Sequence, residues 1–325
     1  MDNNENFDLK SLANDCGLFS ELPADEVVRK IADLDNSYQS GDLVTIYNYF
    51  LSVSTNPDVL MHVIRLADRF RDKTTLSPLL DLLLMKNNGE LKEKFINTRV
   101  MCAKAIANYK DTSTVTPLLY CLNNKDENYK VRLACADALG KIGDRYAVAP
   151  LIDVVNDENE KSVYLKESAA SALGMLGDLR AIDPLVSILE ANKGIWNKFT
   201  FLKERVIEAL GKMRISNNDR VFNALKEALI DESPQIRINA IEALMESDHE
   251  LAYDVIKRCL TEDDDFEVQK NALIALYNLG GREILDEVIS LPIYSQDLKD
   301  EAQGLIDEYE DETVEIYRDD RNNQQ

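Results

Sequence analysis

Apolar residues in this chain recur three and four positions apart in short stripes, separated by brief polar breaks, with no useful run of two-residue alternation. In "VRLACADALGKIGD" the apolar or small residues fall at Val131, Cys135, Ala138, Leu139 and Ile142. That spacing puts them on one face of a 3.6-residue helix. Nearly the same wording returns from Leu165 as "LKESAASALGMLGD". With Leu139 as marker, Ile106 lies 33 residues earlier and Leu173 lies 34 later. Leu210, Leu244 and Leu276 continue at intervals of 37, 34 and 32, and a weaker copy sits around Ala67, 39 before Ile106. A period of this size marks a repeat architecture. Seven units are visible between roughly residues 59 and 291.

Each unit predicts two amphipathic helices. Asp72, Asp111, Asp144 and Asp178 each stand six residues before a proline: Pro78, Pro117, Pro150 and Pro184. The aspartate closes the turn after the first helix, and the proline sits near the start of the second, where its missing N–H costs nothing. A lone pair cannot bury both its apolar faces, so the pairs must stack. The pattern therefore predicts an all-α fold, an α-solenoid of about seven helical hairpins with degenerate terminal caps. The expected division is a mobile acidic N-terminus at 1–20, degenerate capping helices at 21–58 and the repeat array at 59–293. A C-terminal capping helix at 294–310 and a disordered acidic tail at 311–325 complete it.

Charge narrows the partners. Acidic residues number 59 against 37 basic, a formal charge of −22. Such a surface disfavours nucleic acid, whose binding rests on Lys and Arg displacing counterions, and anionic membranes. The start "MDNNENFDLK" lacks the basic and then apolar pattern of a signal peptide. No stretch has the 18 or more apolar residues of a membrane span, and a soluble cytoplasmic protein is expected. The cysteines, Cys16, Cys102, Cys121, Cys135 and Cys259, form no C-x-x-C pair. Cys102 and Cys135 share a slot with Ala169, Ala240 and Ala272, so they are expected to be small buried residues. No catalytic residue, metal site or cofactor is expected, and G-x-x-x-x-G-K-[ST], G-x-S-x-G and H-E-x-x-H are all absent.

The words "VRLACADALGKIGD", "LKESAASALGMLGD", "LKERVIEALGKM" and "IRINAIEALMESD" resemble the HEAT-repeat superfamily, and within it the HEAT-like repeats first described in phycobilisome lyases. The resemblance covers most of the chain. It implies a protein-binding scaffold or adaptor whose inner helices line a concave groove. It also implies that a basic residue at the second place of each inner helix pairs with an Asp of the preceding loop. Arg99, Arg132, Lys166, Lys203 and Arg237 hold that place, and Asp126 and Asp231 lie six residues before their arginines. The other units depart from the pattern and Gln269 replaces the last cation, so a partial, structural ladder is expected. Because the family includes bilin lyases and deoxyhypusine hydroxylase, the alternative is an accessory or catalytic subunit of a protein-modifying enzyme. The hydroxylase holds two irons through repeated His-Glu motifs. This chain has only His62 and His249, and His249 is expected at a surface turn.

Carrying the helical phase through the inner helices leaves Ala134, Asp137 and Lys141 facing the groove, beside the buried Val131, Cys135, Ala136, Ala138 and Leu139. The equivalent slots elsewhere are Lys104 and Asn108, then Ser168, Ser171 and Met175, then Arg205, Glu208 and Lys212. Asn239, Glu242 and Glu246 follow, and finally Asn271, Ile274 and Asn278. The early and middle groove is mildly basic and the later groove acidic. Unless this is an ordinary solvated helix face, it predicts a protein partner with an acidic surface or peptide that meets Lys104, Lys141, Arg205 and Lys212. The segment "NKGIWNKFTF" holds the sole tryptophan, Trp196, and Phe199. They are either an exposed aromatic anchor or rings folded over the seam between units, as expected for Phe201. Oligomeric state leaves no mark in the sequence.

Overall fold

Every regular element among the described residues is helical. The structure, a computed structural model, describes residues 8–85, 93–190, 200–213, 218–247 and 249–308. The helices are α1 (Leu9–Cys16), α2 (Ala24–Asp33), α3 (Ser40–Val53), α4 (Pro57–Asp68), α5 (Leu76–Leu84), α6 (Ile96–Tyr109), α7 (Val115–Asn123), α8 (Tyr129–Ile142) and α9 (Val148–Asn156). They continue as α10 (Val163–Leu176), α11 (Ile182–Glu190), α12 (Thr200–Lys212), α13 (Asp219–Ala228), α14 (Pro234–Glu246), α15 (Ala252–Glu262), α16 (Phe266–Gly280) and α17 (Glu283–Ser290). Residues 296–308 are helical as well. From α4 to α17 they alternate as inner and outer members of seven consecutive pairs among the described residues. This is the all-α solenoid architecture of stacked helical hairpins.

The turns within pairs explain the six-residue Asp-to-Pro spacing. Asp72, Asp111, Asp144 and Asp178 each accept a hydrogen bond from the backbone N–H two residues on, and each opens a one-turn 3₁₀ helix. The outer helix starts directly after that turn, and its proline is the third helical residue. Its absent N–H falls where an α-helix has no internal acceptor. Inner helix α8 begins on the side chain of Asn128, which accepts from Lys130 N–H, and ends at Gly143 in the left-handed region with φ 83°.

The chain forms two compact units, Met1–Leu176 and Gly177–Gln325. In the first, inner helix α8 packs between α6 and α10 and is backed by α7. Its Val131, Ala134, Cys135, Ala136 and Leu139 are wholly buried. Gly140 sets how near α10 comes. A Cβ at Gly140 would lie 2.7 Å from Ala172 Cα and 2.6 Å from Met175 Cε. Helices α2 and α3 pack on α4 at the start of this unit. There the Tyr47 hydroxyl donates to Asp35 at 2.7 Å, and the Arg69 guanidinium donates to both Asp35 oxygens at 2.8 and 2.9 Å. Burial opposes ionisation of Asp35, but those bonds outweigh it and hold the carboxyl below its usual value.

In the second unit, α12, α14 and α16 pack in sequence as inner helices, with α13 and α15 behind them. Leu298, Ala302 and Ile306 of the final helical segment are buried. At the N-terminus, within the stretch 1–20, α1 is a helix. Asp8 caps it, and its Ala13 and Cys16 are buried, because Ala13 and Cys16 fall three apart on one apolar stripe. The acidic tail 311–325 lies outside the described residues.

Candidate functional site

The row of cations at the second place of the inner helices forms a ladder, and it runs the opposite way from the expectation. Arg99 Nε donates to the Leu83 carbonyl at 2.8 Å, and its two terminal nitrogens donate to Glu127 at 2.8 and 2.5 Å. Arg132 donates to the Leu122 carbonyl at 2.9 Å and to Glu160 at 2.6 Å. Lys166 donates to the Val155 carbonyl at 2.9 Å. Lys203 donates to Asp231 at 2.8 Å. Arg237 grips Asp263 at 2.8 and 2.9 Å and the Asp231 carbonyl at 2.9 Å. Gln269 keeps the carbonyl contact alone, to Asp263 at 2.7 Å.

The acid therefore comes from the following loop, 28 residues on for Arg99, Arg132 and Lys203, and 26 for Arg237. For Arg99, Arg132 and Lys166 the preceding outer helix supplies a carbonyl from its last turn, where carbonyls lack an internal partner; for Arg237 and Gln269 the carbonyl comes from the loop just after it. Asp126, expected to pair with Arg132, takes no part; its N–H donates to Asn124. The Arg99–Glu127 and Arg132–Glu160 rungs are buried ties between successive pairs, whereas Arg237 and Asp263 border a cleft of about 350 Å³ together with Lys226 and Arg258.

The candidate site lies on the inner helices of the first unit. Residues Ile64, Arg65 and Asp68 of α4, Met101, Lys104, Ala105 and Asn108 of α6, and Asp137 and Lys141 of α8 line one cleft of about 400 Å³. Its two acids are occupied by neutral donors. Asn108 Nδ2 donates to Asp68 at 2.9 and 3.2 Å, and the Ser168 hydroxyl donates to Asp137. Among the described residues Arg65, Lys104 and Lys141 form no ion pair, and all three are exposed. The cleft thus presents three cations on three successive inner helices.

Four expected groove residues, Lys104, Asn108, Asp137 and Lys141, are brought together here. Ser171 is half-buried on α10, and Met175 is exposed there and lies over Gly140. Arg205, Glu208 and Lys212 belong to the second unit, on α12. Glu208 contacts both cations, Arg205 at 2.8 Å and Lys212 at 3.6 Å, so one of the two positive charges of this expected basic stretch is offset from within. Ala134, Ser168 and Asn239, expected to face the groove, are buried. Those slots turn toward the neighbouring inner helix, which is why small or amide side chains fill them. Phe201, expected to fold over a seam, is 67% exposed. Trp196 and Phe199 lie outside the described residues.

Arg65 and Asp68 were not among the expected groove residues. The signal was present: Arg65 stands two before Ala67 as Lys104 stands two before Ile106. His249 also departs from expectation. It is buried, stacked on Phe222 with centroids 4.0 Å apart, and its Nδ1 accepts from Leu251 N–H at 3.2 Å. Among the described residues no group of three His, Cys, Asp or Glu is placed to hold a metal ion. No helix among them is long and apolar enough to cross a membrane.

No curated protein matches the chain. Among solved structures, the complex of CpcE and CpcF of phycocyanin lyase from Nostoc sp. is 20% identical, covering 72% of this chain and 87% of that one, with a TM-score of 0.45. An archaeal HEAT-like repeats protein from Thermococcus onnurineus is 18% identical over 71% of this chain and 95% of that one, with a TM-score of 0.41. Human deoxyhypusine hydroxylase is 14% identical over 82% and 94%, with a TM-score of 0.33. The family model for HEAT repeats matches residues 90–166, 125–195 and 200–277, together more than half of the chain. With its seven consecutive helical pairs, the chain belongs to the HEAT-repeat family.

Proposed function

We propose that this chain is a cytoplasmic protein-binding adaptor, and that the cleft on α4, α6 and α8 takes an acidic segment of its protein partner. One observation supports this reading above the rest. In a chain with 59 acidic residues for 37 basic ones, Arg65, Lys104 and Lys141 stay unpaired among the described residues beside two carboxylates that Asn108 and Ser168 already engage. An acidic segment entering the cleft meets cations that need not first break an internal pair. Each such contact near the surface is worth about 0.2–1 kcal/mol, so three give modest and salt-sensitive binding. The surrounding negative surface repels acidic segments elsewhere and narrows where one can settle.

The test is fluorescence anisotropy with a labelled glutamate-rich peptide and a lysine-rich one of equal length. The acidic peptide is expected to bind wild type and to be released by salt. Binding is expected to vanish in Lys104→Glu/Lys141→Glu and to persist in Arg205→Glu/Lys212→Glu. Equal binding of the acidic peptide to wild type and to the cleft variant would remove the cleft as the site.

A further inference from the structure

We infer that the bound segment is extended, crosses α4, α6 and α8 in turn, and carries its acidic side chains three and then four residues apart; this rests on the acidic-segment reading above. Arg65 and Lys104 hold the same slot of successive inner helices, two residues before Ala67 and Ile106, and α4 packs directly on α6. Packed helices stand about 8–10 Å apart, so the two cations repeat at about that interval. A polyproline-II chain advances about 3.1 Å per residue and turns every three, so side chains three apart project the same way about 9 Å apart. A β-strand repeats its face at about 6.7 Å and falls short.

An acidic helix repeating every seven residues would match the interval. The Pro-containing peptides used below cannot form such a helix, so selective binding of a spaced peptide separates the extended segment from the helical one. In α8 the slot equivalent to Arg65 and Lys104 is held by Asp137, which repels a third carboxylate in line. The free cation there is Lys141, four residues further along the helix, a shift of about 6 Å. The step from Lys104 to Lys141 is then about 11 Å, longer than the ~9 Å of three extended residues, so the acid spacing opens to four there and the chain departs locally from the three-residue turn.

The experiment uses the full chain and short labelled peptides of one composition, three Glu among Ser and Pro. One carries its acids three and then four apart, one in the reverse order, and one with all three contiguous. One of the two spaced orders is expected to bind about tenfold more tightly than the contiguous peptide. Lys104→Glu is expected to erase that difference. Replacing the middle Glu of the peptide by Lys is expected to restore binding to that variant and not to wild type. Contiguous and spaced peptides binding alike would overturn the extended register while leaving the acidic-segment reading intact. If no acidic peptide binds better than a lysine peptide, both fall.

Discussion

Arg99 holds Glu127, 28 residues further along the chain, through two parallel contacts of 2.8 and 2.5 Å, with side chains only 1% and 5% exposed. Removing Arg99 takes the guanidinium from the buried Glu127 carboxylate, to which Asn128 N–H still donates at 2.9 Å, and takes the Arg99 donor from the Leu83 carbonyl. Arg99→Ala is therefore expected to cost about 3–5 kcal/mol, read as a lower urea midpoint. Arg99→Lys is expected to recover part of this, because Lys166 satisfies the equivalent carbonyl with one ammonium. Lys73→Ala removes an equally short contact to Asp111, but Lys73 is 76% exposed, and a change within about 1 kcal/mol is expected.

Gly140 and Gly143 separate two reasons for a glycine. At Gly140 a Cβ would strike the backbone of Ala172 at 2.7 Å, so α8 and α10 would have to move apart. Gly140→Val is expected to cost about 1–3 kcal/mol or more through overpacking. At Gly143 a Cβ meets open space, but φ is +83°, and Gly143→Ala is expected to cost about 1–2 kcal/mol from the backbone alone. Thermal unfolding of the two variants checks the ranking.

Acid should loosen the turns. The Lys73 ammonium, followed by Ser113, holds the Asp111 carboxyl down to about 2, against roughly 3.9 in an unfolded chain. A lowered folded value contributes stability above the unfolded one, and that contribution is lost as pH falls from about 4 to about 2. Asp157, lowered by Lys125, and Asp72, lowered by Thr74, act in the same direction. The partners Lys73 and Lys125 are largely exposed, so each effect is small. Asp111→Asn is expected to lower the thermal midpoint at pH 7 and to match wild type near pH 2.

The thiols should be inert in the folded chain. All five cysteines are buried and unbridged. Burial pushes Cys16 and Cys259 up to about 11. Burial raises Cys102 further, and a hydrogen bond to Cys121 together with burial does so for Cys135. The thiolate is the reactive form. A maleimide reagent at pH 7.0, where the thiols stay protonated, is expected to label none of the five before denaturant is added and all five afterwards, counted by intact mass.

The repeated pairs were legible because Leu139 and its counterparts fall on a stripe that any stacked amphipathic helix must bury. The ladder was legible in its cations and misread in its direction. Asp126 sits close in sequence to Arg132, whereas Glu160 lies two helices away, and only the recurrence of an acid at an offset of 26–28 would have pointed to it. The groove was half legible. Helical phase set Lys104 and Lys141 on one face, and both line one cleft, but Ala134 and Ser168 were set facing it because phase alone does not say that α8 is covered on both flanks. That Glu208 reaches both Arg205 and Lys212 is a matter of side-chain geometry, which spacing of three and four permits without requiring.

The direction of the ladder bears on how such an array can be recombined. A hairpin excised at its loops carries away its own arginine and abandons the acid that arginine needs. The graftable cassette is longer than the visible repeat: it runs from the outer-helix carbonyl before the cation to the acid after the next outer helix, as from Leu83 to Glu127. Chimeras joined at those points keep each arginine with its acid and leave across the joint only a bond to a backbone carbonyl, as from Arg132 to Leu122, which any sequence supplies, whereas chimeras joined at the hairpin loops must supply a compatible acid from the new neighbour.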